Sequence, residues 1–176
     1  MSQPELIAPD VRYHASFLAC LTEFRAVGPL SDWVANVDSV ALQSSEGFAA
    51  YVADQHARRT RGAQASDGRV SESTLWWVEG EEFLGRIAVR HRLTPSLERY
   101  GGHIGYVVRP GAQGKGHATA MLRATLPLAY ALGIDDALLT TSPANLASRR
   151  VIERVGGRLV EELPERCYYR VRTVAG

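Results

Sequence analysis

The spacing of apolar residues changes period along this chain, and the changes mark its elements. Residues 5–9, ELIAP, read as a short strand, and Asp10 behind them is a suitable helix N-cap. Phe17, Leu21 and Phe24, with Leu18 beside them, then recur at helical spacing until Gly28 and Pro29 stop the run. Residues 30–43 carry no clean period. A second helix starts near Ser45, sets Phe48, Val52 and His56 on one face, and ends in ARRTRG. The polar stretch 60–72 reads as a surface loop whose arginines, with Arg58 and Arg59, are solvated or form a phosphate-binding patch.

The period then shortens to two. STLWWVEG is a strand, Glu81-Glu82 turns the chain, and FLGRIAVRHRL is a second strand in which Ile87, Val89, His91 and Leu93 alternate with Arg86, Ala88, Arg90 and Arg92. Trp76 and Trp77 are adjacent on a strand and so face opposite sides. TPSLERYGG connects to a third strand, HIGYVVRP, ended by Pro110. A long helix follows with Ala118, Met121, Leu122, Thr125, Leu126, Ala129 and Leu132 as its apolar stripe. Pro127 inside it predicts a kink near Arg123, and Gly133 closes it. DALLTTS (136–142) is a buried strand, NLASRRVIERVGG a helix, and RLVEEL and CYYRVR are two final strands. One crossover helix between strands 103–110 and 136–142 makes a βαβ unit, which predicts that these two strands are parallel neighbours. The rest of the sheet is expected to be antiparallel. The fold class is therefore α+β, a mixed, mostly antiparallel twisted sheet flanked by helices, in one domain spanning 1–176.

Composition narrows the function classes. With 176 residues, 45% of them hydrophobic, the chain can bury one ordinary core. A formal charge of +1 gives no global attraction to nucleic acid. Two cysteines, Cys20 and Cys167, make no disulfide framework and match no metal-ligand spacing, so they are expected as free thiols in a reducing cytosol. No apolar run is long enough for a membrane span, and the N-terminus lacks a signal-peptide pattern. A cytoplasmic protein with no membrane and no nucleic-acid partner is expected.

The chemistry concentrates in YVVRPGAQGKGHATAML, 106–122, where three glycines fall within six residues at the entrance of the long helix. A helix N-terminus presents N–H groups without intrahelical partners and the positive end of the helix dipole, and a bound anion satisfies both. Glycine removes the Cβ that would keep phosphate oxygens away, and Lys115 can add a point charge. The bend therefore reads as a cradle for phosphate or pyrophosphate. Two nucleotide motifs do not fit it. A P-loop needs glycine at 109 and Ser or Thr at 116, where the chain has Arg109 and Gly116. A dinucleotide fingerprint fails at Thr119 and in its late place after an antiparallel meander.

Gln113, Gly116 and Ala118, placed after Val108-Arg109-Pro110 and before a helix, resemble the acetyl-CoA-binding motif of the GNAT N-acetyltransferases. SPANLASRRVIERVGG is similar to a second element of that family, an Asn-x-x-Ser/Ala helix with a glycine corner, here Asn145, Ser148 and Gly156-Gly157. The resemblance covers residues 74–163, extends into the last strand (164–176), is weak before 60, and includes a subgroup of bacterial proteins without a settled substrate. It implies acetyl-CoA as co-substrate and direct attack of a primary amine on the thioester in a ternary complex. It also implies a cofactor site. Tyr106, Val107 and Val108 would offer strand edge to the pantetheine arm; Gln113, Gly114, Lys115, Gly116, His117, Ala118 and Thr119 would hold the pyrophosphate; Asn145 and Ser148 would flank the arm. Residues 1–60 and the 94–102 loop would form the acceptor side. The acceptor, a small-molecule or peptide amine, is left open, and a homodimer is compatible with the family.

Proton management decides the rest. Freeing a lysine-like amine at neutral pH costs roughly 4–5 kcal/mol, but an α-amine only about 1 kcal/mol. His103, entering the third strand, is the candidate base, with His91 and Glu98 behind it. The family's tyrosine, seven residues after the motif asparagine, is replaced by Ile152. Tyr169, or Tyr168, on the last strand is the candidate acid. The missing tyrosine leaves a rival reading, a non-catalytic acyl-CoA sensor of the same fold.

Overall fold

The computed structural model describes residues 2–28, 32–61 and 69–174. The expected helix stop at Pro29, and residues 62–68 of the expected polar loop, lie outside the described residues. In chain order come β1 (Glu5–Ile7), α1 (His14–Val27), α2 (Asp32–Ala35), α3 (Ser45–Arg61), β2 (Glu72–Glu79), β3 (Glu82–Arg90), α4 (Pro95–Arg99), β4 (Ile104–Val108), α5 (His117–Ala131), β5 (Asp136–Thr141), α6 (Leu146–Arg154), β6 (Arg158–Leu163) and β7 (Arg166–Arg172). Mixed helices and antiparallel sheet give the expected α+β class. No described helix is long and apolar enough to cross a membrane.

The strands form two sheets, β1-β2-β3-β4 and β5-β7-β6, each antiparallel throughout. This corrects the expected parallel ladder between β4 and β5. The two strands meet only where β4 begins. There His103 N–H donates to Leu138 O at 2.7 Å, and Gly102 bridges Leu139. Gly102 has φ +68°, and a Cβ on it would collide with the Leu138 carbonyl, so only glycine allows this approach. Beyond that point no ladder joins the strands, and each is held by its own antiparallel neighbours. β3 also ends at Arg90, short of the expected run: beyond it His91 packs its Nε2 against Ser73 Oγ at 2.8 Å. TPSLERYGG is more than a connection, since Thr94 Oγ1 accepts from Leu97 N–H and caps α4. α5 continues through Pro127 as one helix.

The alternation of strand side chains puts a separate core on each face of the first sheet. Trp77, Ile87, Val89, Ile104 and Val108 pack with Met121, Leu122 and Leu126 of α5. Trp76, Val78 and Phe83 pack with Phe17, Leu21 and Phe48 of α1 and α3. On that second face Phe17 lies 5.0 Å from Phe83 and 5.3 Å from Trp76, centroid to centroid. Aromatic pairs in this range add to the area they bury. The two tryptophans thus divide between the cores.

Both cysteines are free and 0% exposed. Burial pushes the Cys20 thiol up to about 12, with a smaller opposing effect of Arg109. The raised folded value means that this thiol's contribution to stability is complete below pH 9.0 and is lost as pH rises towards about 12. Native protein at pH 8 is expected to leave both thiols unlabelled by a colorimetric disulfide reagent, and denatured protein to release both. Fast labelling of the native state would contradict this packing.

Candidate functional site

α5 starts where the backbone turns left-handed. Gly114 has φ +75° and Gly116, its N-cap, +87°, and neither has an atom within 4 Å of where a Cβ would stand. No side chain caps the helix. The first bond into the helix is Ala120 N–H to Gly116 O at 3.1 Å, so the preceding amides lack intrahelical acceptors.

β4 is the edge of its sheet, and its ladder fixes which backbone groups are open. Arg90 N–H donates to His103 O, and Arg109 N–H to Leu84 O, so the odd-numbered residues bond to β3. Antiparallel alternation then turns the polar groups of Ile104, Tyr106 and Val108 outward, away from β3. Gln113 Nε2 donates to the outward Val108 carbonyl at 3.0 Å and ties the glycine bend to the strand end.

Edge, bend and α6 enclose one cavity of about 480 Å³. It is lined by Tyr106, Val107, Val108, Gln113, Gly114, Gly116, His117, Ala118, Thr119, Asn145 and Ser148, eleven of the twelve residues expected at a cofactor site. Lys115 is the twelfth; its Nζ turns back to Gly111 O at 2.9 Å. Asn145 Oδ1 accepts from Ser148 N–H at 3.0 Å and caps α6 while still lining the cavity. His117 Nδ1 accepts from Trp77 Nε1–H at 3.2 Å, which fixes its ring. Arg150 and Arg154 also line the cavity, and among the described residues no carboxylate does. Sequence reasoning missed these two arginines. Their signal was the i, i+3, i+4, i+7 stripe Ala147, Arg150, Val151, Arg154 on α6.

A second cavity, of about 610 Å³, shares Tyr106, Asn145 and Ser148 with the first and extends between β4 and β5. Tyr106 stands at the junction. Its hydroxyl lies 2.9 Å from Ser148 Oγ, joining β4 to α6. Burial pushes this phenol up to about 12, against a smaller lowering by the Ser148 bond. The two catalytic candidates stand elsewhere. His103 Nδ1 accepts from Leu138 N–H at 2.9 Å, so its ring helps to clasp β4 to β5 and lines neither cavity. Burial, and then the charges of Arg170 and Arg90, lower its pKa. Tyr169 is fully buried, donates to Glu153 Oε1 at 3.0 Å and accepts from Arg149 Nε–H at 3.0 Å. Tyr168 donates to Arg99 O at 3.2 Å. Ile152 is buried in the core.

The bend is braced from α1. Glu23 accepts from Arg109 at 2.7 Å and from Gly111 N–H at 2.9 Å, and Arg109 also reaches Glu82 Oε2 at 2.6 Å. The Arg109 hydrogen bond, helped by Gly111, holds the Glu23 carboxyl below its usual range despite partial burial. Its stabilising share is therefore present above the ordinary carboxylate value and is lost as pH falls through the depressed one. Glu23→Gln is expected to cost about 1 kcal/mol, because half-exposed charged bonds are weakened by solvent. A melting temperature lower by roughly 2–4 °C at pH 7, with the gap closing at acid pH, is the expected result. An unchanged melting curve would remove Glu23 as a brace.

The family model described as "Acetyltransferase (GNAT) domain" matches residues 29–158. Among solved structures the chain is similar to a ribosomal-protein-S5-alanine acetyltransferase from Vibrio fischeri, at 12% identity and TM-score 0.69 over 98% of this chain and 94% of that one. It is also similar to Mycobacterium smegmatis RimJ in complex with CoA-disulfide, at 18% identity and TM-score 0.67 over 96% and 81%. The microcin C7 self-immunity acetyltransferase MccE, in complex with acetyl-CoA and AMP, matches at 11% identity and TM-score 0.66 over 98% and 93%. No curated protein matches the chain significantly in sequence. The family match spans well over half of the residues and includes the β4–bend–α5 segment and α6, and the chain belongs to the GNAT acetyltransferase family.

Proposed function

We propose that the chain is an acetyl-CoA-dependent N-acetyltransferase that moves an acetyl group to a primary amine by direct attack in a ternary complex. The observation that carries this reading is the single cavity in which the uncapped start of α5, the outward edge of β4 and α6 meet. Its residues fit the co-substrate. Uncapped amides beside two side-chain-free glycines suit a diphosphate, Arg150 and Arg154 add positive charge, and the strand edge suits the amides of a pantetheine arm.

Acetyl-CoA supplies an acetyl thioester when bound. The chain's own residues then orient it and manage charge. The outward N–H groups of β4 are donors available to a developing oxyanion. Tyr106, uncharged across the working pH range, holds a proton at the junction of the two cavities and is the phenol placed to pass it to a departing thiolate, with Ser148 fixing its hydroxyl. The acceptor enters from the second cavity, which lies open between β4 and β5.

Two measurements test the reading together. CoA is expected to raise the melting temperature by several degrees at a hundredfold excess over Kd, where ligand stabilisation reaches about 2.7 kcal/mol; ATP and NAD are expected not to. Thiol release from acetyl-CoA should then appear with some members of an amine panel. CoA binding without release on any amine would support the sensor instead, and stabilisation by ATP alone would point to different phosphate chemistry.

A further inference from the structure

We infer that the acceptor carries an anionic group, a carboxylate or a phosphate, close to its amine, and that Arg90 and Arg166 hold it in the cavity between β4 and β5. The inference rests on the acetyl-transfer reading and names its substrate class. The acceptor cavity is lined by Arg90, Arg166 and the hydroxyl residues Thr140, Thr141 and Ser142, and among the described residues no carboxylate lines it. Arg166 has no ion-pair partner among the described residues; its guanidinium stacks 5.0 Å from the Tyr100 ring, and its Nε is buried without a hydrogen-bond partner. A guanidinium that lines a cavity without an ion-pair partner is a counter-charge for an oxyanion bound there. A planar guanidinium forks onto two oxygens of one carboxylate or phosphate.

Arg90 is pinned at the cavity edge by donating Nη1–H to Gly102 O at 3.0 Å, and Gly101 and Gly105 leave room for its head. Its counter-charge is already divided. Glu72 lies 3.5 Å from Arg90, 3.8 Å from Arg58 and 3.8 Å from Arg86, while Asp54 takes Arg58 and Arg61 at 2.8 and 2.7 Å. Among the described residues, two carboxylates thus serve four guanidinium groups. Arg90 also lines a neighbouring cavity with Arg58, Arg61 and the shared Glu72, so positive charge from these arginines continues outward from the acceptor mouth. The same field disfavours an ammonium ion and so favours the neutral amine that attack requires. This offers a reason why no side-chain base is needed in the gap.

The test uses amines matched in shape and differing in charge: glycine with glycinamide, phosphoethanolamine with ethanolamine, and Asp-Gly-Gly with Asn-Gly-Gly. Thiol release is measured for each, normalised to the unprotonated fraction of the amine. In at least one pair the anionic member is expected to have the higher kcat/KM by about tenfold or more, as for a charge-assisted contact. The carboxylate and phosphate pairs show which group the site takes. Arg166→Gln is expected to reduce that charge preference at least tenfold, and Arg166→Lys to restore part of it. A merely structural role would lower both members alike and leave the ratio unmoved. Preferences below threefold in every pair, or a ratio untouched by Arg166→Gln, would overturn the inference. If no amine is turned over, the transfer reading fails separately, and the site is read by calorimetric titration of the anionic amines into CoA-loaded protein. Binding lost in Arg166→Gln upholds it, and no binding at 10 mM, on the order of the weakest contact worth keeping, refutes it.

Discussion

Gly116→Val is expected to abolish useful CoA binding while leaving a folded protein. Gly116 sits at φ +87°, which a β-branched side chain adopts only under strain, although the space around it is open. The strain costs about 1–3 kcal/mol. The chain escapes it by turning the Gly116 backbone out of the left-handed region, which re-aims the uncapped amides that follow. Losing one or two hydrogen bonds to a charged group costs roughly 1.5–3 kcal/mol each. CoA affinity is therefore expected to fall by two orders of magnitude or more. Calorimetric titration reads the loss, and circular dichroism confirms the fold. Full affinity in a folded Gly116→Val protein would refute the cradle. Gly114→Ala, also at positive φ but two residues further from the helix, should weaken binding less.

Tyr106→Phe is expected to lower kcat by about a hundredfold, the usual share of a positioned acid, with a much smaller change in the KM for acetyl-CoA. The ring remains to fill its place against the core, and only the hydroxyl and its bond to Ser148 are removed. Because burial holds the phenol up to about 12, activity should show no alkaline limb from this group below that region. Ser148→Ala loosens the hydroxyl without removing it and should cost less. A Tyr106→Phe enzyme with full kcat would leave proton delivery to water. Tyr169→Phe, by contrast, is expected to act on stability, since its hydroxyl is enclosed by Arg149 and Glu153.

The elements legible in the sequence were those with a local cause. Apolar spacing placed α1, α3, α5 and α6 and the strands of both sheets, since side-chain direction repeats every 3.6 or two residues regardless of what packs there. The glycines of the bend and Asn145 at the start of α6 were legible for the same reason: positive φ and capping are requirements of the backbone itself. The parallel ladder expected between β4 and β5 was not found, because a crossover helix sets the direction of two strands and not whether they remain in hydrogen-bonding reach.

What the amino-acid sequence determined by itself, then, was the order of the main elements, the class of fold and the glycine-rich bend that opens α5. The tertiary structure decided which side chains face the gap. His103 and Tyr106 are three residues apart, yet one is bound to the Leu138 amide and the other meets Ser148, 42 residues away. Arg109 is fixed by Glu23, 86 residues earlier, and Arg90 is left with a carboxylate that two other arginines share. Local periodicity is set by sterics within a few residues. Pairing across a gap depends on the mutual placement of separate elements, and that placement follows from the packing of the whole core.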